Sequence, residues 1–343
     1  MWRVYIAELK KLCLVVGRPP AASRGGTLSI GLGFFCSTSG NELSTNHSIR
    51  LHNLSRSSVV RAFQRNLRDF IELLKLSCRM GLAIFRLGSH FVPFASHPEF
   101  QPEWAREIEN TLKHSANLVK SFGVRVTMHP AQYVVLNSPR QDVVERSLAE
   151  LRYHFWILDT LGLGRESVVV IHIGGVYGDK SRALRRFEES LYQNRWLLKR
   201  LAIENDERYY TAQEVLEVAE ALGIPFVFDY YHHTLNPSSF SVDRLISTWR
   251  GVVPEVHISS KPDRVARFGE HGDYVDIQDF KNLINIFNSG NPIDVVAEAK
   301  GKEKAISKLL KEIEREGMDS LIRKPMCSPE STTLVLERFE NSL

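Results

Sequence analysis

Cysteine is scarce in this chain. Cys13, Cys36, Cys78 and Cys327 are scattered, with no CxxC spacing. That excludes a zinc knuckle and argues against a disulfide frame; it predicts reduced thiols in a cytoplasmic protein. No apolar run approaches the roughly 18 residues that a membrane span needs, so no membrane partner is expected. The opening segment, MWRVYIAELKKLCLVVGRPP, carries Glu8 ahead of a short apolar stretch and lacks a clean small-residue cleavage site, so it does not read as a signal peptide. Neither sign of charge dominates: 44 Lys and Arg face 40 Asp and Glu, for a net charge of +4. Such a balance permits a polyanionic partner without demanding one. There is no internal repeat, no low-complexity tract, and no Ser or Cys nucleophile with a base partner.

The composition, 43% hydrophobic and 24% charged over 343 residues, suits a soluble chain with a large core. Strand and helix patterns alternate from about residue 27 to 317. TLSIGLGFF (27–35) reads as the first strand, and Val60, Phe63, Leu67, Phe70 and Leu74 recur at helical spacing after it. Further strands are expected at 82–88, 124–129, 167–175, 201–206, 223–231, 254–260 and 294–301, each followed by a helical pattern. Eight such units predict an α/β fold of the (β/α)8 TIM-barrel type, and barrels of about 250 residues commonly form one domain. Residues 1–26 read as an N-terminal extension, either a disordered appendage or a misplaced start, with a Pro/Gly/Ser-rich linker at Gly17–Gly26. Residues 27–317 read as the barrel domain and 318–343 as a C-terminal helical tail.

The carboxyl ends of six of the expected strands carry residues that metals favour: His129, His172, Glu204, Asp229 and His232, Glu255 and His257, and Glu298, with His271 in a following loop. Chemistry in such barrels lies at those ends. One ion takes about four to six ligands, so these five imidazoles and four carboxylates suit two or three ions with bridging carboxylates. Any one of them alone would more often be a satisfied structural residue; repetition at strand after strand points to one site. Multi-metal sites clamp the attacking and leaving oxygens of a displacement at phosphorus, and attack by metal-bound hydroxide is the economical mechanism here. Glu255 and His257 share a face of their strand. Asp229 and His232 share a site only if the chain turns after Asp229.

Taken together, FRLGSHFVPFASHP (85–98), MHPAQYV (128–134), VVERSLAELRYH (143–154), HIGGVYGDKSRALRRF (172–187), LAIENDER (201–208), DYYHHTLNP (229–237), VHIS (256–259) and AEAKGKE (297–303) resemble the ultraviolet-damage endonuclease family, related to the endonuclease IV barrel. The resemblance implies a metal-dependent enzyme that nicks double-stranded DNA immediately 5′ to cyclobutane dimers and 6-4 products, and also at abasic sites. Manganese is the metal it implies, with zinc the alternative. By motif position it makes His129, His172, Glu204, Asp229, His232, His257, His271 and Glu298 the ligands. It also sends Gln132 and Tyr133 into the duplex where the damaged dinucleotide flips out, a step that costs less at a poorly stacked lesion.

Three positions depart from the family pattern. Glu255 stands where a Lys is common and is expected in the metal shell, as a direct ligand or one step removed. Gly33-Phe34 replaces a Gly-Tyr pair, and Ser89 replaces a Gln that would contact DNA. His90 and Lys300 are expected in the cleft beside Glu204 and Glu298. Arg86, Lys302, Lys180, Arg182, Arg185, Arg186 and Lys261 are expected around the mouth, some on phosphates. The chain is expected to act as a monomer. Two other readings compete: a sugar isomerase or epimerase on a similar barrel, which needs no intercalating loop, and a non-cleaving binder of damaged DNA.

Overall fold

In a computed structural model, residues 28–288 and 290–325, together with Cys327, are described. The expected N-terminal extension, its linker and most of the tail lie outside these residues. Eight parallel strands close into a barrel in sequence order: β1 (Ile30–Phe35), β2 (Ile84–Leu87), β3 (Arg125–Met128), β4 (Val169–His172), β5 (Leu201–Glu204), β6 (Phe226–Asp229), β7 (Glu255–Ile258) and β8 (Ile293–Ala297). Closure comes from β1 pairing β8, with Ile30 opposite Ile293 and Gly33 opposite Val296. Gly33 is required by this closeness, because a Cβ there would lie 1.8 Å from the Ile84 carbonyl oxygen on β2. Each strand is shorter than its apolar run suggested, at one end or at both. The sixth ends at Asp229, and Tyr230–Leu235 is a helix instead of a strand end.

Helices pack around the barrel as the periodicity required. The helix Arg56–Met80 begins in a capping box, with Ser55 accepting from the Ser58 amide, and ends at Gly81 with φ +71°, the left-handed stop that glycine adopts without strain. It buries Val59, Phe63, Leu67, Phe70 and Leu74, so Val59 holds the place expected of Val60. Phe70 and Phe85 lie against each other with ring centroids 6.0 Å apart, tying this helix to β2.

The barrel interior is charged where many barrels are filled with branched aliphatics. At the amino end of the strands, Arg125 donates to Asp294 at 3.0 Å and to the Val253 carbonyl at 2.7 Å. Arg323 reaches the same Asp294 from the chain's final described stretch, where the Arg323 amide also donates to the Ile30 carbonyl at 2.8 Å. That stretch corrects the cysteine expectation: Cys78 and Cys327 are joined in a disulfide across 249 residues of sequence. Docking of residues 319–325 under the barrel brings Cys327 to the end of the Arg56–Met80 helix, a proximity that sequence spacing cannot reveal. Among the described residues, Cys36 is a free thiol, and no helix is long and apolar enough to cross a membrane.

Candidate metal centre

Strands β3 to β8 deliver the polar groups to the mouth by ending where they do. His172, Glu204 and Asp229 are the last residues of β4, β5 and β6; His129 and Glu298 directly follow β3 and β8. His257 lies within β7 on the face of Glu255, and its Nε2 is 3.0 Å from Glu255 Oε1. Asp229 is also the N-cap of Tyr230–Leu235, accepting from the His232 amide at 2.6 Å. That single turn brings two residues three apart into one site. His271 comes in from the loop after β7, its Nδ1 2.9 Å from the Glu298 carbonyl oxygen.

Glu204 is central and fully buried. Its Oε2 lies 2.9 Å from His129 Nε2 and 3.8 Å from His172 Nε2. Its Oε1 lies 2.9 Å from His257 Nδ1 and 3.6 Å from His232 Nδ1. Among the described residues, three groups, each with ligand atoms within 4.8 Å of one another, could hold a cation, and all three contain Glu204: His129–His172–Glu204, Glu204–Asp229–His232 and Glu204–His257–Glu298. A carboxylate that offers one oxygen to each side is placed to bridge ions.

The electrostatics match that reading. Burial pushes the Glu204 carboxyl up, but His257, His172 and the hydrogen bond from His129 hold it well below its ordinary value, so it stays ionised. Burial also raises Asp229, and His232 offsets this only in part. His172 is pushed down to about 4 by burial, so it offers a lone pair at neutral pH. His232 is raised to about 9, because Asp229, Glu204 and Glu298 outweigh its desolvation. Asp229 Oδ2 is buried with no hydrogen-bond partner among the described residues, an arrangement a cation would relieve. Carbonyl oxygens also fix imidazole orientation: Pro130 lies 2.9 Å from His129 Nδ1, and Asn205 lies 3.0 Å from His232 Nδ1. The donor set therefore fits divalent metal ions.

Other expected residues fall at varied places. Glu255 is outside the three groups, one step below the mouth, where Thr127 donates to it at 3.2 Å and Arg125 stands 3.8 Å away. Arg86, expected on the rim as a DNA contact, is instead 4% exposed inside the barrel, paired with Glu298 and touching His257. The reason is register: Arg86 sits in the middle of β2, pointing inward beneath the mouth. Phe34 is also turned into the wall, edge-on to Phe85. The β1 ring near the mouth is Phe35, under the Lys302 ammonium, which burial lowers to about 8. Lys300 pairs with Glu270. Ser89 donates to the His129 carbonyl at 2.9 Å, and His90 is exposed beside it. Gln132 and Tyr133 are exposed at the loop tip after β3, Tyr133 by 67%. Lys180 pairs with Glu214 at 2.6 Å and Arg186 donates to the Asn137 carbonyl at 2.7 Å, whereas Arg182, Arg185 and Lys261 remain exposed.

Sequence reading missed Asn205. It is fully buried, accepts from the Asp229 amide at 2.9 Å and donates to the Asp229 carbonyl at 3.0 Å, clamping β5 to β6. Its only signal was its place directly after Glu204. The inward direction of Arg86 and Arg125 was missed as well, since a strand arginine gives no sign of which face it takes until register is known.

A sequence model of the UV-endonuclease UvdE family matches residues 37–326. The UV DNA damage endonuclease of Bacillus velezensis is 33% identical over 277 residues, covering 77% of this chain and 86% of that relative. The Bacillus pumilus enzyme of the same name is 33% identical over 268 residues, covering 75% and 83%. A crystal structure of SacUVDE superposes with a TM-score of 0.75 at 28% identity, covering 84% of this chain and 99% of that one.

Proposed function

This chain belongs to the UV-endonuclease UvdE family and is an endonuclease acting on DNA; on that premise we propose that it nicks duplex DNA immediately 5′ to cyclobutane dimers and 6-4 products, and at abasic sites, using two or three divalent ions, of which manganese is the first choice. The observation that carries this reading is Glu204, a single buried carboxylate shared by three adjoining ligand groups. When bound, such ions would neutralise charge on a phosphodiester and lower the pKa of a water towards neutrality.

The chain's own residues do the rest. His129, His172, Glu204, Asp229, His232, His257 and Glu298 would hold the ions, with His271 oriented by the Glu298 carbonyl at the edge of the site. Glu255 would orient His257 from below, leaving Nδ1 to face Glu204. Gln132 and Tyr133 would enter the duplex, the ring as a stacking platform and the amide as a partner for orphaned bases. Exposed Arg182, Arg185 and Lys261 would meet phosphates, and Ser89, His90, Lys300 and Lys302 would contact the strand being cut.

The test is an end-labelled duplex carrying one cyclobutane dimer, incubated with the protein in Mn2+ and in EDTA. A metal-dependent nick directly 5′ of the dimer, and none on undamaged duplex, is the expected result. Binding without a nick would replace this reading with a damage binder.

A further inference from the structure

The loop between β4 and the helix Lys180–Gln193 carries a tyrosine that the metal centre does not use. Tyr177 holds φ +50°, a left-handed conformation that an aromatic residue keeps only when its surroundings impose it. Asn137 Nδ2 donates to the Gly175 carbonyl at 2.8 Å, and the Asp179 amide donates to the Val176 carbonyl at 3.0 Å, closing a turn around Tyr177. Because Gly175 has no Cβ, the ring packs closely on its backbone; an added Cβ would stand only 3.3 Å from the ring's Cζ. The Arg186 guanidinium lies over the same ring, 5.4 Å from its centroid, and donates through Nε to the Asn137 carbonyl at 2.7 Å. A side chain so firmly held is nonetheless 47% exposed, and its hydroxyl has no hydrogen-bond partner among the described residues.

Its neighbours indicate what it meets. The Tyr177 loop abuts the loop of Gln132 and Tyr133: a Cβ on Gly174 would lie 3.1 Å from Val135 Cγ1, and Ser190 donates to the Leu136 carbonyl at 2.7 Å. On the following helix, Arg182 stands three and four residues before Arg185 and Arg186 and so shares their face. Arg182 and Arg185 are exposed there. An immobilised hydroxyl beside an arginine-bearing face is a donor for an anionic oxygen. Resting on the reading above that this chain acts on duplex DNA, we propose that Tyr177 grips the sugar–phosphate backbone, its hydroxyl donating to one phosphate oxygen beside the point where Tyr133 enters the duplex. Tyr177 is a positioning residue and does not read the lesion, because phosphate contacts fix register and carry no information about the bases. Nor is its ring a second wedge: Gly175 and Arg186 already pack on it, so what it offers outward is the hydroxyl. Arg186 is spent inside the loop. Its Nη2 is buried, so it braces the ring and the neighbouring loop instead of meeting DNA.

Tyr177→Phe removes the hydroxyl alone and leaves the ring in its cradle. In Mn2+, fluorescence anisotropy gives the Kd for an undamaged duplex, and nicking of a dimer duplex gives KM and the saturated single-turnover rate. The substitution is expected to raise Kd and KM by the same factor, about 10-fold for one hydrogen bond to a charged group, with the single-turnover rate and the melting temperature unchanged. A neutral hydroxyl displaces no counterion, so the slope of log affinity against log salt should stay as in the unaltered protein, whereas Arg182→Gln should make it shallower. Tyr133→Ala should weaken the dimer duplex and spare the undamaged one. An unchanged Kd in Tyr177→Phe would overturn the proposal; so would a loss confined to the dimer duplex, which would make Tyr177 a reader of the lesion. If both duplexes bind, Tyr177→Phe weakens both and no nick appears with the unaltered protein, the cutting reaction proposed above fails while the assignment of Tyr177 stands.

Discussion

Glu204 touches four imidazoles through its two oxygens, so its carboxylate is worth more than any single ligand. Glu204→Gln removes the shared charge from every ligand group at once. Nicking in single turnover is expected to fall by more than the roughly 10–100-fold that loss of an outer hydrogen-bond partner costs. Near-normal cleavage would show that the bridge lies elsewhere. His232 supplies a second residue-level test. Its imidazole is raised to about 9, above the ordinary value of 6.5, so it is protonated at neutral pH while no metal is bound. An ion that takes this nitrogen must displace the proton. Calorimetry at pH 7 in two buffers of different ionisation enthalpy should report release of about one proton with the ion at this group, and affinity should weaken as pH falls. Uptake that is independent of buffer would remove His232 from the ligand set.

At the scale of elements, the site depends on strands ending on schedule and on what begins next. Asp229 closes β6 and caps the following helix, so it is both a ligand candidate and a structural stop. The two roles separate by substitution. Asp229→Asn and Asp229→Ala both remove the charge, and both should lose Mn2+ from the Asp229–His232 group. Asn retains an oxygen for the His232 amide, so in metal-free urea unfolding it should be about 1 kcal/mol more stable than Ala. Equal stabilities would mean that the cap contributes nothing. The eight strand positions were legible from runs such as SVVVIHIGG, because parallel strands buried on both faces are continuously apolar. The helix at Tyr230–Leu235 was not legible. YYHHTL has no apolar period, and the turn is imposed by the Asp229 cap and by Asn205 from the neighbouring strand.

For the whole molecule, closure matters at both ends of the barrel. The mouth end gathers the ligands; the other end is sealed by Arg125, Asp294 and Arg323, and the Cys78–Cys327 disulfide fastens the returning chain to the first helix. A crosslink between residues so far apart in sequence constrains the unfolded chain strongly. Dithiothreitol should therefore lower the urea stability by about 2–4 kcal/mol. Cys327→Ser should begin at that lower value and ignore the reductant; an unaltered protein indifferent to reductant would show that the bond contributes nothing. The sequence by itself determined the eightfold alternation, the places of His129, His172, Glu204, Asp229 and Glu298 at or just after strand ends and of His257 within its strand, and the family, because periodicity and motif are local properties of the chain. Tertiary structure alone decided that Arg86 points inward, that Phe34 lies in the wall, that Asn205 clamps two strands and that two distant cysteines meet. Each of these depends on which face of a strand is turned to the barrel axis and on which distant segments become neighbours, and both are settled only when the strands pair and the barrel closes.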